Sequence, residues 1–134
     1  MKQIILINRN LTPGIAANTC AVIGMTFGKL NPEIVGCDIS DKSNFVHSGI
    51  TAFPVPVLSA NSDEIREIYK KVQNEFNGII QAVPFTKIAQ SSKNYEEYRY
   101  RMSQTDISEI EFNGLGLRGD KKTINQLSGH MKLF

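Results

Sequence analysis

Long apolar runs, a strong charge of either sign and a cysteine framework are all missing from this chain of 134 residues. Each absence removes a class of protein. The run "IILI" at Ile4–Ile7 is four residues long and stops at Asn8 and Arg9. It is too short for a secretory leader, and no segment elsewhere reaches membrane-spanning length, so no membrane association is expected. A formal net charge of +2 is small beside the basic stripe that nucleic-acid binding leaves, and no nucleic-acid partner is expected. The two cysteines, Cys20 and Cys37, sit in apolar surroundings at no metal-ligand spacing. They read as buried free thiols, which points to the cytoplasm and away from a metal site. No Walker or dinucleotide glycine pattern occurs, and no cofactor is expected. Neither a Gly-x-Ser-x-Gly elbow nor a cysteine with an evident histidine partner is present, which argues against a covalent hydrolase.

What is present reads as one α/β domain over residues 1–134, without repeats, low-complexity tracts or linkers. "KQIILIN" is a continuous β-branched run, the pattern of a strand covered on both faces. Thr12 as N-cap and Pro13 at the first helical position then open a helix. Ile15, Thr19, Val22, Ile23 and Phe27 recur in it at helical spacing. Its small residues Ala16, Ala17, Ala21 and Gly24 predict close packing on a sheet, and Gly28 predicts its end. "EIVGCDI" predicts a second strand, and "SDKSNFVHSG" a polar excursion after it. "FPVPVLS" predicts a short strand whose prolines place it at an edge or near a strand end. Asn61 and Glu64 have capping-box spacing, and Ile65, Ile68, Tyr69, Val72 and Phe76 form an amphipathic stripe.

"GIIQAVP" predicts a strand ending at Pro84. Residues 85–104 read as polar helix broken at "QSSKN", with Tyr95, Tyr98 and Met102 packing on one side. "ISEIEFNGLGLRG" predicts a strand, with a hairpin turn at Asn113-Gly114 as the alternative. Asp120 is expected to cap a short helix through Ile124 and Leu127 that ends at Gly129. "RGDKK" reads as a solvated turn and "HMKLF" as a terminal strand.

Candidate chemistry gathers at the first βα turn, "NRNLTPG". Helix N-termini present free backbone N–H groups and favour anions, and Arg9 adds a charge there. Asn18, one turn into the helix, can donate and accept. His47 lies in the polar excursion, where a hydrogen-bonding or proton-transfer role and an exposed loop histidine are the two readings. His130 reads as structural. Thr86 and Gln90 follow a strand, where ligands of open α/β sheets collect, and are four apart on one helix face; Thr86 can equally serve as a cap. The aromatic and arginine-rich "NYEEYRYRM" fits base stacking in form, but Glu96 and Glu97 dilute its charge and packing is the expected role.

In order along the chain, "LINRNLTPGIAANTCAVIG", "EIVGCDISD", "HSGI", "PVPVL", "PFTKIAQSSKNYEEYR" and "LGLRGDKKTINQLSG" resemble the family of domain of unknown function 2000. That family's fold is similar to the type 2 peptidyl-tRNA hydrolases, which implies a mixed β-sheet flanked by helices. The hydrolases carry an Arg-Asp-Leu turn, then Gly-Lys-x-Ala-Ala-Gln, then a histidine in the same helix. Here Asn10 stands at the aspartate, Gly14 at the lysine, Asn18 at the glutamine and Ala21 at the histidine. The cation that would meet a phosphate or polarise an ester is therefore missing, and function belongs to a site rather than a fold.

The expected function is binding of a small polar ligand where Arg9, Asn18, His47, Thr86 and Gln90 converge. Two alternatives stand beside it. One is a divergent ester hydrolase acting on an RNA-linked substrate. The other is a non-catalytic, homodimeric interaction module working through a sheet edge or the tyrosine face.

Overall fold

In the computed structural model, which describes residues 1–134, the first strand forms where the chain is most β-branched. Strand β1 (Lys2–Asn8) is buried from Gln3 onward. Helix α1 (Pro13–Leu30) follows, then a 3-10 turn (Pro32–Ile34) and a small hairpin of β2 (Ile39–Ser40) and β3 (Val46–His47). Strand β4 (Val57–Ala60) leads into α2 (Ser62–Glu75), and β5 (Gln81–Thr86) into the short helices α3 (Lys87–Ser91) and α4 (Tyr95–Ser103). A second 3-10 turn (Ile107–Glu109), the fully buried β6 (Phe112–Gly119) and α5 (Lys121–Ser128) complete the chain.

Four strands make one mixed sheet in the order β4-β1-β6-β5. β1 runs parallel to β4 and antiparallel to β6, which is antiparallel to β5. Alternation along β1 divides the core. Ile4 and Leu6 join Ile65, Val72, Leu115, Leu117 and Ile124 beneath α2 and α5. Ile5 and Ile7 join Ala16, Ile23 and Phe27 beneath α1. Tyr69 leans on Phe112 with ring centroids 5.7 Å apart. The result is a single α/β domain, a mixed sheet flanked by helices on both faces.

Several expected elements stand as read. The capping box of α2 closes both ways, with Glu64 N donating to Asn61 Oδ1 at 2.8 Å and Asn61 N to Glu64 Oε1 at 3.1 Å. Residues 85–104 do split into two helices, and the glycine-bearing segment is a central strand, not a hairpin. Asp120 caps α5 and Gly129 ends it. β4 lies at a sheet edge and starts just after Pro56. The last residues add backbone bonds to it, Ser59 N to Lys132 O at 2.8 Å and Phe134 N to Val57 O at 2.9 Å.

Other expectations need correcting. "EIVGCDI" is no sheet strand: Ile39 pairs with His47 in the local hairpin, and Val35 makes only an isolated bridge to Thr51. Pro32 and the Asp38 and Asp41 side chains, which bond nearby backbone N–H groups, turn this segment on itself. β5 runs through Pro84 to Thr86, because an edge strand tolerates a missing N–H on its open side. α1 continues past Gly28 to Leu30. Of its small residues only Ala16 faces the sheet, since Ala17, Ala21 and Gly24 are exposed. Close approach comes from β6, where a Cβ on Gly116 would lie 2.5 Å from Ile23 and 2.6 Å from Phe27. Both cysteines are free, but Cys37 is exposed and Cys20 only partly buried. Tyr95 is exposed, whereas Met102 does pack against the core. Arg118, read as part of a solvated turn, is buried to 7% exposure.

Candidate functional site

Parallel neighbours whose following helices leave on opposite faces open a crevice at the strand carboxyl ends. β1 and β4 are such a pair: α1 covers the Ile5 and Ile7 face, and α2 the Ile4 and Leu6 face. Arg9, just past β1, donates its backbone N–H to Ala60 O at 2.8 Å, which fixes where its side chain starts. Its Nε donates to Ser59 Oγ at 3.3 Å and its Nη2 to Glu64 Oε1 at 3.3 Å. The other Glu64 oxygen lies 4.0 Å from His130 Nε2. These side chains, with Met131 and Lys132, line a cavity of about 330 Å³.

Glu64 is thus shared between helix capping and the crevice. Arg9 and Glu64 remain 47% and 35% exposed, and a pair that open to water contributes only about 0–1 kcal/mol. An anionic ligand can therefore take the guanidinium over from Glu64 at little expense. Arg9, Lys132 and His130 offer three basic groups against one carboxylate.

The five residues expected to converge do not form one site. Arg9 is in the crevice. Thr86 and Gln90 lie at the same end of the sheet, since β5 runs parallel to β1, but they have local duties. Thr86 is buried, and its Oγ1 accepts from Ala89 N at 3.2 Å to cap α3. Gln90 accepts at 3.4 Å from Asn113, a buried amide at the bulge where the β5–β6 register shifts. Asn18 is exposed on the outer side of α1. His47 belongs to the hairpin, whose base is tied by Thr51 and Phe53 to Gln3 at the opposite end of β1. Its Nε2 lies 2.8 Å from Asp41 Oδ2, which holds that carboxyl below its ordinary range, helped by the Phe45 and Ser43 backbone N–H groups. No third metal-binding side chain joins them.

Sequence reasoning missed Glu64, Ser59 and His130 as crevice residues. Glu64 had a sufficient local role as half of a capping box, and His130 is 66 positions away from it in the chain. Only the return of the C-terminal residues along β4 brings the histidine there.

A four-stranded mixed sheet with a polar switch-point crevice defines the class as a single-domain α/β protein. Within that class the chain belongs to the DUF2000 family, described as protein of unknown function, whose model matches residues 1–134. Among solved structures, a protein of unknown function from Agrobacterium tumefaciens strain C58 has the same fold. The two share 17% sequence identity at a TM-score of 0.89, over 99% of this chain and 96% of that one. No curated protein matches the sequence. No helix is long and apolar enough to cross a membrane.

Proposed function

We propose that this protein binds a small, anionic polar ligand in the crevice beside the first βα turn, with Arg9 as its anchor. One observation carries the reading: Arg9 and His130 meet on the single carboxylate of Glu64 where β1 and β4 part, with Ser59 bonded to Arg9. Free thiols suit a reducing compartment, and the cytoplasm is the location this function fits. Native mass spectrometry of the purified protein, followed by thermal shifts with carboxylated and phosphorylated metabolites, tests the proposal. A ligand that raises Tm should lose at least about tenfold in affinity with Arg9→Gln, as expected when a charge-assisted hydrogen bond is removed. The unliganded Tm should hold, because the exposed pair stabilises little. Undiminished binding by Arg9→Gln would overturn the assignment.

The resemblance to peptidyl-tRNA hydrolases supplies a second reading, ester hydrolysis on an RNA-linked substrate. His130 beside Glu64 favours it, because a carboxylate-oriented imidazole can take a proton from water. Turnover of peptidyl-tRNA that disappears with His130→Asn would support it; no turnover beside a working control would remove it. A third, homodimeric reading rests on the hairpin of β2 and β3, which leaves Ile39, Phe45, Val46 and Ile50 exposed.

A further inference from the structure

The one charged side chain among the buried residues is Arg118, and it has no acid. Cross-strand register sets Gln3, Arg118 and Gln81 side by side across β1, β6 and β5. Within this row Arg118 Nη1 donates to Gln3 Oε1 at 3.3 Å, and its guanidinium sits 5.4 Å from the centre of the Phe53 ring. Asn31, at the end of α1, donates to Gln81 Oε1 at 2.7 Å. Gln3 spends its own amide N–H groups on Thr51 Oγ1 and Phe53 O. Each acceptor oxygen of the row thereby already has a donor. What remains is Gln81 Nε2 with Nε and Nη2 of Arg118, all donors.

None of those nitrogens is sealed from solvent without a partner. The open space beside them is a cavity of about 400 Å³ lined by Asn31, Gln73, Asn77, Gln81 and Arg118, with no aspartate or glutamate in its wall. A buried guanidinium without an acid is poorly compensated by one neutral amide and one ring face. A planar fork of donors matches a carboxylate in two parallel hydrogen bonds. Arg118 is the one charged side chain of the wall, and a single guanidinium matches a monocarboxylate better than a phosphate dianion.

We propose that this pocket is a binding site for a small monocarboxylic acid. Its carboxylate lies between Arg118 and Gln81, and its polar body faces the amides of Gln73 and Asn77. The site is separate from the crevice. Gln3 and Arg9 lie at opposite ends of β1, about 20 Å apart at the usual rise per residue, so the failure of one reading leaves the other standing.

Titration of the isotope-labelled full chain tests it, with the Arg118 Nε–H and Gln81 side-chain amide resonances as readout. Sodium acetate and sodium lactate should each shift both resonances saturably, lactate more tightly because its hydroxyl meets the amides. Sodium chloride at equal ionic strength should move neither, and inorganic phosphate should bind more weakly than acetate. Arg118→Met should abolish the effect. Gln81→Met, which leaves the buried cation in place, should weaken it about tenfold, the loss of one hydrogen bond to a charged group. The same saturation in Gln81→Met, no saturable shift with either carboxylate, an equal response to chloride, or tighter binding of phosphate would each overturn the proposal.

Discussion

Glycine acts in two opposite ways within a few ångströms of α1, and substitution separates them. Gly116 lets Ile23 and Phe27 touch the backbone of β6, and a Cβ there would fall within 2.6 Å of both side chains. Gly116→Ala should therefore destabilise the fold by about 1–3 kcal/mol through overpacking. Gly24 lies mid-helix and exposed, and a methyl group added there would meet nothing within 4 Å. Gly24→Ala should stabilise by about 0.5–1 kcal/mol, because the helix no longer carries glycine's extra backbone entropy. Urea unfolding of both variants checks the pair, and changes of the same sign would mean that the inner face of α1 is misassigned. The apolar stripe of Thr19, Ile23 and Phe27 was legible from spacing alone. The direction of the small residues was not, because alanine and glycine carry too little hydrophobicity to declare a face. Arg118 was illegible for a related reason: the sequence shows a charged turn, and only pairing with Gln3 and Gln81 buries it.

At the level of elements, legibility follows how local the determining contacts are. The capping box at Asn61 and Glu64 and the Asp120 cap span three positions each, and both could be read from the chain. The crevice depends on β1 meeting β4 and on residues 131–134 returning to β4, contacts set by topology. The segment "EIVGCDI" reads as a sheet strand because β-branched residues look alike in either setting, yet only its Ile39 enters the β2–β3 hairpin. Its tip is built on Asp41, whose carboxyl is held low first by His47 and then by the N–H groups of Phe45 and Ser43. A carboxyl lowered on folding contributes stability above its unfolded value, near about 3.9, and that contribution is lost as pH falls through the lower folded value. The Ser43 and Phe45 amide resonances should accordingly report an Asp41 titration whose midpoint lies below the ordinary aspartate value of about 3.9. Asp41→Asn should remove that titration. A midpoint above the value of aspartate in an unstructured peptide would contradict the geometry of the tip.

For the molecule as a whole, the two sides of the sheet are unequally covered. α2 and α5 bury one side, while α1 covers the other and leaves much of its own outer surface bare. From Leu11 to Gly28 the chain carries no charged residue, and Ala17, Ala21, Gly24 and Met25 face outward. The hairpin also exposes Ile39, Phe45, Val46 and Ile50. A two-stranded hairpin is marginal in water by itself, so a covering partner would stabilise it. The uncharged outer face of α1 gives a charged partner nothing to recognise, and a second copy offers the same surface in return. An 18-residue helix is about 27 Å long and about 10 Å across, so its outer face is small beside a specific interface. Such a dimer should be weak and dissociate on dilution. Sedimentation should find a concentration-dependent dimer, shifted to monomer by Val46→Asp or Ile50→Asp. Both positions are exposed in the monomer, so each variant should unfold within about 0.5 kcal/mol of the wild-type monomer. A wild-type chain that stays monomeric at high concentration would exclude the homodimer, and a dimer indifferent to both aspartates would place the interface elsewhere.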